Sequence, residues 1–402
     1  MKRMTCILSF FALTACAPRG YEPVEGPADD AWSSFRANPQ RTGVSETAAV
    51  GDEIKELWRV EGINTTDYGA AKASPAVEAG VVYIGSDDAR FGAYDATSGE
   101  QLWQVEIADT TQGIHGTPTI GADYVYIGAY NGRLYAFDKH SGEEAWHYEM
   151  GFQIGASPVL VTEHGRVYNT HERSSSGGGH IVAVDAVTGE EVWNFPIRAH
   201  PHSSVAVSPG NDFLFVGDNL AILHAIDTTN GKKVWDYQIP QTKDDQSDIK
   251  TTPTVVEPHD MVVVGAWSGK VHAFDMFDGT IRWETDLGGN IMGSTAYSPE
   301  RDLVYVGVPG SVDGLVALDA ATGAEVWRAP TGANVMSSPA LGADQNVVVV
   351  GSGKSLFAFD AATGEEIWKH NVGGSVTASP ALWRNYVFIA ARAGDLVAIE
   401  TE

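Results

Sequence analysis

An all-β fold built from one repeated four-stranded sheet is what this sequence predicts, and three observations carry the prediction. An aspartate is followed four residues later by glycine and four after that by tryptophan, seven times over: Asp95/Gly99/Trp103, Asp138/Gly142/Trp146, Asp185/Gly189/Trp193, Asp227/Gly231/Trp235, Asp275/Gly279/Trp283, Asp319/Gly323/Trp327 and Asp360/Gly364/Trp368. Successive tryptophans from Trp58 onward lie 41 to 48 residues apart, the span of a propeller blade and longer than most helical repeats. Each unit also holds a β-branched and aromatic run ending mostly in glycine, such as Val82-Tyr83-Ile84-Gly85, and eight such runs occur, the last being Val387-Phe388-Ile389-Ala390. The expected architecture is an eight-bladed β-propeller of four-stranded antiparallel blades.

Within a unit the order of elements is constant. A short first strand opens with Ser or Thr, usually followed by Pro, as in Ser74-Pro75, Thr117-Pro118 and Ser338-Pro339; two units lack the proline, around Val205 and Thr295. The apolar run is the second strand. A third alternates toward the aspartate, as in Leu134-Tyr135-Ala136-Phe137-Asp138, because side chains of a strand point to opposite faces in turn. The Asp-x-x-Thr/Ser-Gly segment then turns the chain into the fourth strand, with glycine supplying the positive φ. Trp58 has no Asp and Gly before it, while the last repeat, ending near Glu400, lacks a fourth strand. The N-terminal strand around Trp58 therefore completes the C-terminal blade, closing the ring and removing its free edges.

The pattern Ala-x-Asp-x-x-Thr-Gly-x-x-x-Trp resembles the tryptophan-docking motif of the PQQ-like propeller family, and the resemblance spans Trp58 to Glu402. It implies that each tryptophan packs against the neighbouring blade as core. The segment Trp32-Ser-Ser-Phe-Arg-Ala-Asn-Pro-Gln-Arg-Thr-Gly43 resembles the lead-in that precedes many such propellers and is expected to pack over the ring.

The N-terminus reads as a targeting segment. Met1-Lys2-Arg3, a short apolar stretch from Ile7 and Leu13-Thr14-Ala15-Cys16 describe a signal peptide too short to span a membrane. Leu-Thr-Ala-Cys resembles the bacterial lipobox, which implies cleavage before Cys16 and acylation of that cysteine; Ala17, where an inner-membrane retention signal would have Asp, favours the outer membrane. The expected organisation is a signal peptide over 1–15, a lipid-anchored Pro/Gly/Glu/Asp-rich tether over 16–31, a lead-in over 32–53 and the propeller over 54–402. With Cys6 removed and Cys16 acylated, the two cysteines leave no thiol for a disulfide. A formal charge of −26 argues against nucleic acid and against docking on anionic headgroups, so lipid must anchor the chain.

Loop lengths separate the two faces. The distance from tryptophan to the next first-strand proline position is 12 residues in five blades, but 17 after Trp58, 15 after Trp103 and 18 after Trp235. Another insertion, Thr170 to His180, falls on the same face, while the Thr-Gly turns opposite stay uniform, so binding is expected on the elaborated face. Three residues before each first-strand proline position the chain should reach the mouth of the central channel: Lys72, His115, Gly155, His202, Lys250, Met292, Met336 and Thr377. Lys72 and Lys250 fall in opposite blades and could hold an anionic ligand; a hydrated mouth is the plainer reading. His115, His171, His180, His200 and His202 share this face, but their spacing matches no metal motif. Tyr130 and Trp267 occupy equivalent turns there and suit either protein recognition or packing over a neighbouring loop.

The family resemblance implies two kinds of function. Its enzymes are quinoprotein alcohol dehydrogenases holding PQQ and calcium in the central funnel, typically under a disulfide between adjacent cysteines; this chain has no cysteine pair and nearly minimal blades. Its other branch, the BamB lipoproteins of outer-membrane β-barrel assembly, is closest in blade number, lipobox and length. In that branch a loop before blade five carries an acidic Ser-Asp-x-x-Thr-Thr-Pro segment that contacts the barrel-assembly subunit, and this chain has Ser247-Asp248-Ile249-Lys250-Thr251-Thr252-Pro253. Lys250 stands where a second acidic residue is expected, and the partner loop's Leu-Arg is not recognisable in Ile197 to His202. The expectation is a non-enzymatic scaffold, a monomer within an envelope complex, with no cofactor and no metal; Lys72, His115, Tyr130, His202, Asp248, Lys250 and Trp267 mark its partner or ligand face. A PQQ-binding or other small-ligand protein is the alternative.

Overall fold

The computed structural model describes residues 25–26, 28, 30–65, 73–110, 112–172, 178–241, 248–310 and 314–402. Cys16, the leader, most of the expected tether and Lys72 lie outside the described residues. Eight sheets follow one another around a ring, each built of sequential antiparallel strands. Blade 1, for example, runs Ala76–Glu78, Val81–Gly85, Arg90–Asp95 and Gln101–Glu106 from channel to rim. The last blade joins Ala381–Trp383, Tyr386–Ala390 and Leu396–Thr401 to the N-terminal strand Ile54–Val60, in the register Ile54 to Thr401 and Trp58 to Ala398. Arg59 fastens this closure by reaching Glu56, Asp395 and the carbonyl of Val372.

The Asp-Gly-Trp repeat proves to be a joint between blades. Each indole Nε1–H donates to a carbonyl of the next blade one residue after its aspartate, at 2.8 to 3.3 Å, from Trp58 to Ala96 through Trp327 to Ala361. The glycine of that next blade lies flat against the same indole: a Cβ added at any of the seven would come within 2.5 to 2.7 Å of a tryptophan ring atom. Glycine is thus required twice, for its φ of 67 to 77° and for the space the indole fills. At the eighth joint Trp368 uses the carbonyl of Gly51 instead, which explains why no Asp-Gly pair precedes Trp58. The aspartates organise the turn itself. Asp95 accepts from the Thr97 hydroxyl and from the Thr97 and Ser98 N–H groups, which hold its carboxyl below the usual carboxylate range against the opposing effect of burial.

The lead-in does more than lie over the ring. Ala31–Trp32 adds a fifth strand inside blade 1, one residue within the stretch expected as tether. The chain then circles the channel at its Thr-Gly end. The carbonyls of Ser33, Pro39, Gln40, Thr42 and Gly43 accept from the N–H of Ile120, Val207, Val255, Tyr297 and Leu341, in blades 2, 4, 5, 6 and 7. Ala49 donates to Arg384 in blade 8, and the Arg41 guanidinium reaches Pro158 of blade 3. Every blade is held by this one segment. Arg36, Ala37 and Arg41 adopt left-handed φ of 60 to 71°, a strain that persists only where surrounding bonds over-determine it.

Candidate functional site: the funnel face

The channel narrows from the elaborated face in two tiers. At the mouth, a cavity of about 80 Å³ is lined by His115, Gly155, His202, Lys250, Met292, Met336 and Thr377, the ring expected from counting back from the prolines. Lys72, the eighth member, lies outside the described residues, so its place opposite Lys250 is not part of this geometry. Below is a tier of hydroxyls that the sequence reading passed over. The backbone N–H of Ser74 donates to Thr117 Oγ1, Thr117 to Ser157 Oγ, Ser157 to Ser204, Ser204 to Thr252, Thr252 to Ser294, Ser294 to Ser338, Ser338 to Ser379, and Ser379 back to Ser74, at 2.8 to 3.3 Å. This closed circle explains the Ser/Thr before each proline. The two units without proline, Ser204-Val205 and Ser294-Thr295, keep the hydroxyl because the circle needs it.

Phe35 of the lead-in forms the floor, with the Arg41 guanidinium 6.0 Å from its ring centre. Arg41 donates to the carbonyls of Val205, Phe35 and Pro158 and to Ser34; Arg36 donates to those of Arg41, Pro339 and Thr42. Both are fully buried without a carboxylate partner among the described residues, and burial lowers each pKa to about 9, the neighbouring Arg41 charge adding to the effect at Arg36. Both remain charged at neutral pH.

Two aromatic pairs stand on the rim in equivalent positions. Tyr130 packs on His115 with ring centres 4.0 Å apart, and the Lys250 Nζ sits 4.0 Å over the Trp267 ring. Both aromatics are half-buried by these contacts rather than fully exposed. Asp248 lies 3.8 Å from Lys250 and accepts the Trp267 N–H through its carbonyl, so Asp248, Lys250 and Trp267 form one unit on blade 5. His115, Tyr130 and His202 form a second through Glu172, which sequence reading did not single out. The Glu172 carboxylate lies 3.6 Å from His202 Nδ1, and burial, reinforced by Glu172, pushes the Tyr130 hydroxyl pKa up. An added Cβ at Gly155 would meet the Glu172 carboxylate and push it aside. His171 stacks on His180 at 4.9 Å, and no group of three or more His, Cys, Asp or Glu among the described residues is placed to hold a metal ion.

Comparison with known proteins fits this architecture. The family model described as outer membrane protein assembly factor BamB matches residues 48–213, 92–306 and 268–402, overlapping as shifted copies of a repeat do. The chain belongs to the BamB family. Within it, the BamB of Burkholderia pseudomallei (strain K96243) is 25% identical over 292 residues, covering 69% of this chain and 71% of that protein. Two relatives outside BamB match over less of themselves: the chain covers 17% of the serine/threonine-protein kinase AfsK of Streptomyces griseus and 26% of the quinohemoprotein alcohol dehydrogenase ADH IIB of Pseudomonas putida, each at 26% identity and over 45% and 33% of this chain. Among solved structures, BamB from Moraxella catarrhalis superposes with a TM-score of 0.69 at 19% identity, covering 87% of this chain and all of that one. Quinohemoprotein alcohol dehydrogenase ADHIIG from Pseudomonas putida HK5 gives 0.78 at 17%, over 93% and 80%. These superpositions establish the shared propeller; function is carried by the face.

Proposed function

We propose that this BamB-family chain is a non-enzymatic, lipid-anchored scaffold that docks protein partners of the cell envelope through its funnel face, in the assembly of outer-membrane β-barrel proteins. The observation that carries the reading is the rim itself. One half-buried aromatic, Trp267, lies under the Lys250 ammonium and another, Tyr130, packs on the His115 ring, with Asp248 and Glu172 beside them, while the opposite face repeats one turn and is sealed by the lead-in. Anchored aromatics ringed by charge are what protein interfaces use. The match to the Burkholderia BamB runs through most of both chains, which supports the same reading. Cys16 in Leu13-Thr14-Ala15-Cys16 supplies the lipid anchor at the outer membrane, and one copy acts within a larger complex.

A second reading follows from the quinohemoprotein relatives, and the throat argues against it. A cavity of about 80 Å³ is well below the roughly 300–1,000 Å³ of organic-ligand pockets. Its lining among the described residues offers no carboxylate for a calcium ion, and Phe35 closes it below. The described residues do not fit PQQ with its metal.

A photo-crosslinking residue at Trp267, used in intact cells and followed by purification of the full-length lipoprotein, is expected to capture a β-barrel assembly component. Recovery of none overturns the assignment. Purified protein titrated with PQQ and calcium is expected to show no new absorbance and no thermal stabilisation; a stoichiometric chromophore would restore the enzyme reading.

A further inference from the structure

We propose that the throat of the funnel is an anion site, sized for a halide or a tetrahedral oxyanion, formed by the hydroxyl circle and Lys250 over a floor that the lead-in arginines back. The hydroxyl circle supplies the donors. Each ring oxygen spends one of its two lone pairs accepting a backbone N–H and keeps its proton and the other lone pair. Seven of the eight, all but Ser74, donate no hydrogen bond to any described group, line the cavity and are at least nine-tenths buried. A buried donor left unmet costs on the order of 1–3 kcal/mol, so the throat must be filled by something that accepts hydrogen bonds from several sides at once.

Charge distinguishes an anion from water alone. In a protein of net charge −26, no carboxylate among the described residues lines this cavity, and Lys250 stands at its mouth. Beneath it, Arg41 holds the carbonyls of Pro158 and Val205, each one residue on from the ring hydroxyls of Ser157 and Ser204. Arg36 holds Pro339, one residue on from Ser338. Two guanidiniums are therefore desolvated directly below the circle without a counter-charge, the situation that a buried anion relieves. Among the described residues, Asp248 and Glu172 are the nearby carboxylates that oppose binding. Asp248 is partly neutralised by Lys250 at 3.8 Å, and Glu172 is turned to His202 and Tyr130. The volume admits a small inorganic ion and excludes a larger organic acid.

The inference stands apart from partner docking, and its test needs no partner. Full-length protein in sodium bromide is expected to broaden the ⁸¹Br NMR line, with sulfate competing if oxyanions are accepted. Lys250→Glu should weaken bromide at least about tenfold by reversing the charge at the mouth, and Ser338→Ala about threefold or more. Circular dichroism melting of both variants establishes that they fold. Crystals soaked in bromide are expected to show an anomalous peak on the channel axis within hydrogen-bond reach of the ring hydroxyls. Equal broadening by wild type and Lys250→Glu overturns the proposal, as does a soaked crystal in which water alone meets the hydroxyls.

Discussion

The two ends of the channel are built on opposite rules. At the Thr-Gly end, seven turns repeat the same Asp and Gly, and one segment, residues 31 to 50, bonds to every blade and closes the opening. At the funnel end the loops differ in length; the rim carries His115, His202 and Lys250 where other blades have Gly155, Met292, Met336 and Thr377, and Tyr130 and Trp267 at strand turns where others have residues as varied as Asp87, Asn219, Pro309 and Arg392. Regularity marks where the ring is held together, and irregularity marks where it meets something else. Substitutions should therefore be costly to stability at the first end and nearly silent at the second.

The largest effect is expected at the plug. Arg41→Ala removes four hydrogen bonds from a buried guanidinium, leaves the carbonyls of Val205 and Phe35 unpaired and leaves that of Pro158 to the Thr119 hydroxyl alone, which should cost about 3–5 kcal/mol in urea unfolding. A loss below about 1 kcal/mol would mean that the lead-in decorates the ring rather than holding it. Next comes a blade joint. Gly189→Ala sets a Cβ within 2.6 Å of the Trp146 ring at φ +73° and should cost about 3 kcal/mol, whereas Gly332→Ala, at φ +75° with nothing within 4 Å, should cost only about 1. Equal losses at both positions would show that backbone strain, not the indole, explains the repeat.

Ser338→Ala leaves the Ser294 N–H without its acceptor and should cost about 1–2 kcal/mol in the same assay. The closure blade adds a pH dependence. The Arg59 hydrogen bond, opposed by burial and aided by His370, holds the Glu56 carboxyl below its ordinary value of 4.5. Its contribution is present above that ordinary value and is lost as pH falls through the depressed one. Glu56→Gln should therefore lower unfolding stability slightly at pH 7, by under about 1 kcal/mol in the same assay, and not at all at pH values where Glu56 is protonated. The smallest change is expected on the rim: Lys250→Gln forfeits a contact over Trp267 worth about 0.5 kcal/mol, within error in unfolding, while reducing bromide binding and partner crosslinking. A rim substitution that unfolds the protein would break the division between the two ends.

Much of this was legible in the sequence, and the misses have physical causes. Asp-Gly-Trp spacing gave blade number and closure because the joint recurs at fixed distance, and counting back from the prolines located the cavity lining because strands keep register. The lead-in was legible only as a segment near the ring. It gives each blade a bond or two, so Phe35, Arg36 and Arg41 follow no strand or helix period. The hydroxyl circle was hidden by the proline beside it, the more conspicuous residue of each pair. Glu172 was obscured because its partners, His202 and Tyr130, come from other blades.

The closure also sets the order in which the molecule can be finished. Asp30 bonds Trp383, 353 positions away, and Trp368 bonds Gly51 across 317. The earlier segment thus waits for one more than 300 residues later before either is satisfied. Contacts of such separation are slow to form: until Leu396–Thr401 is made, Ile54–Val60 has an open edge and the lead-in lacks its contact to blade 8. A chain interrupted before its final thirty or so residues should remain an incomplete ring exposing that edge, a ready target for chaperones and proteases.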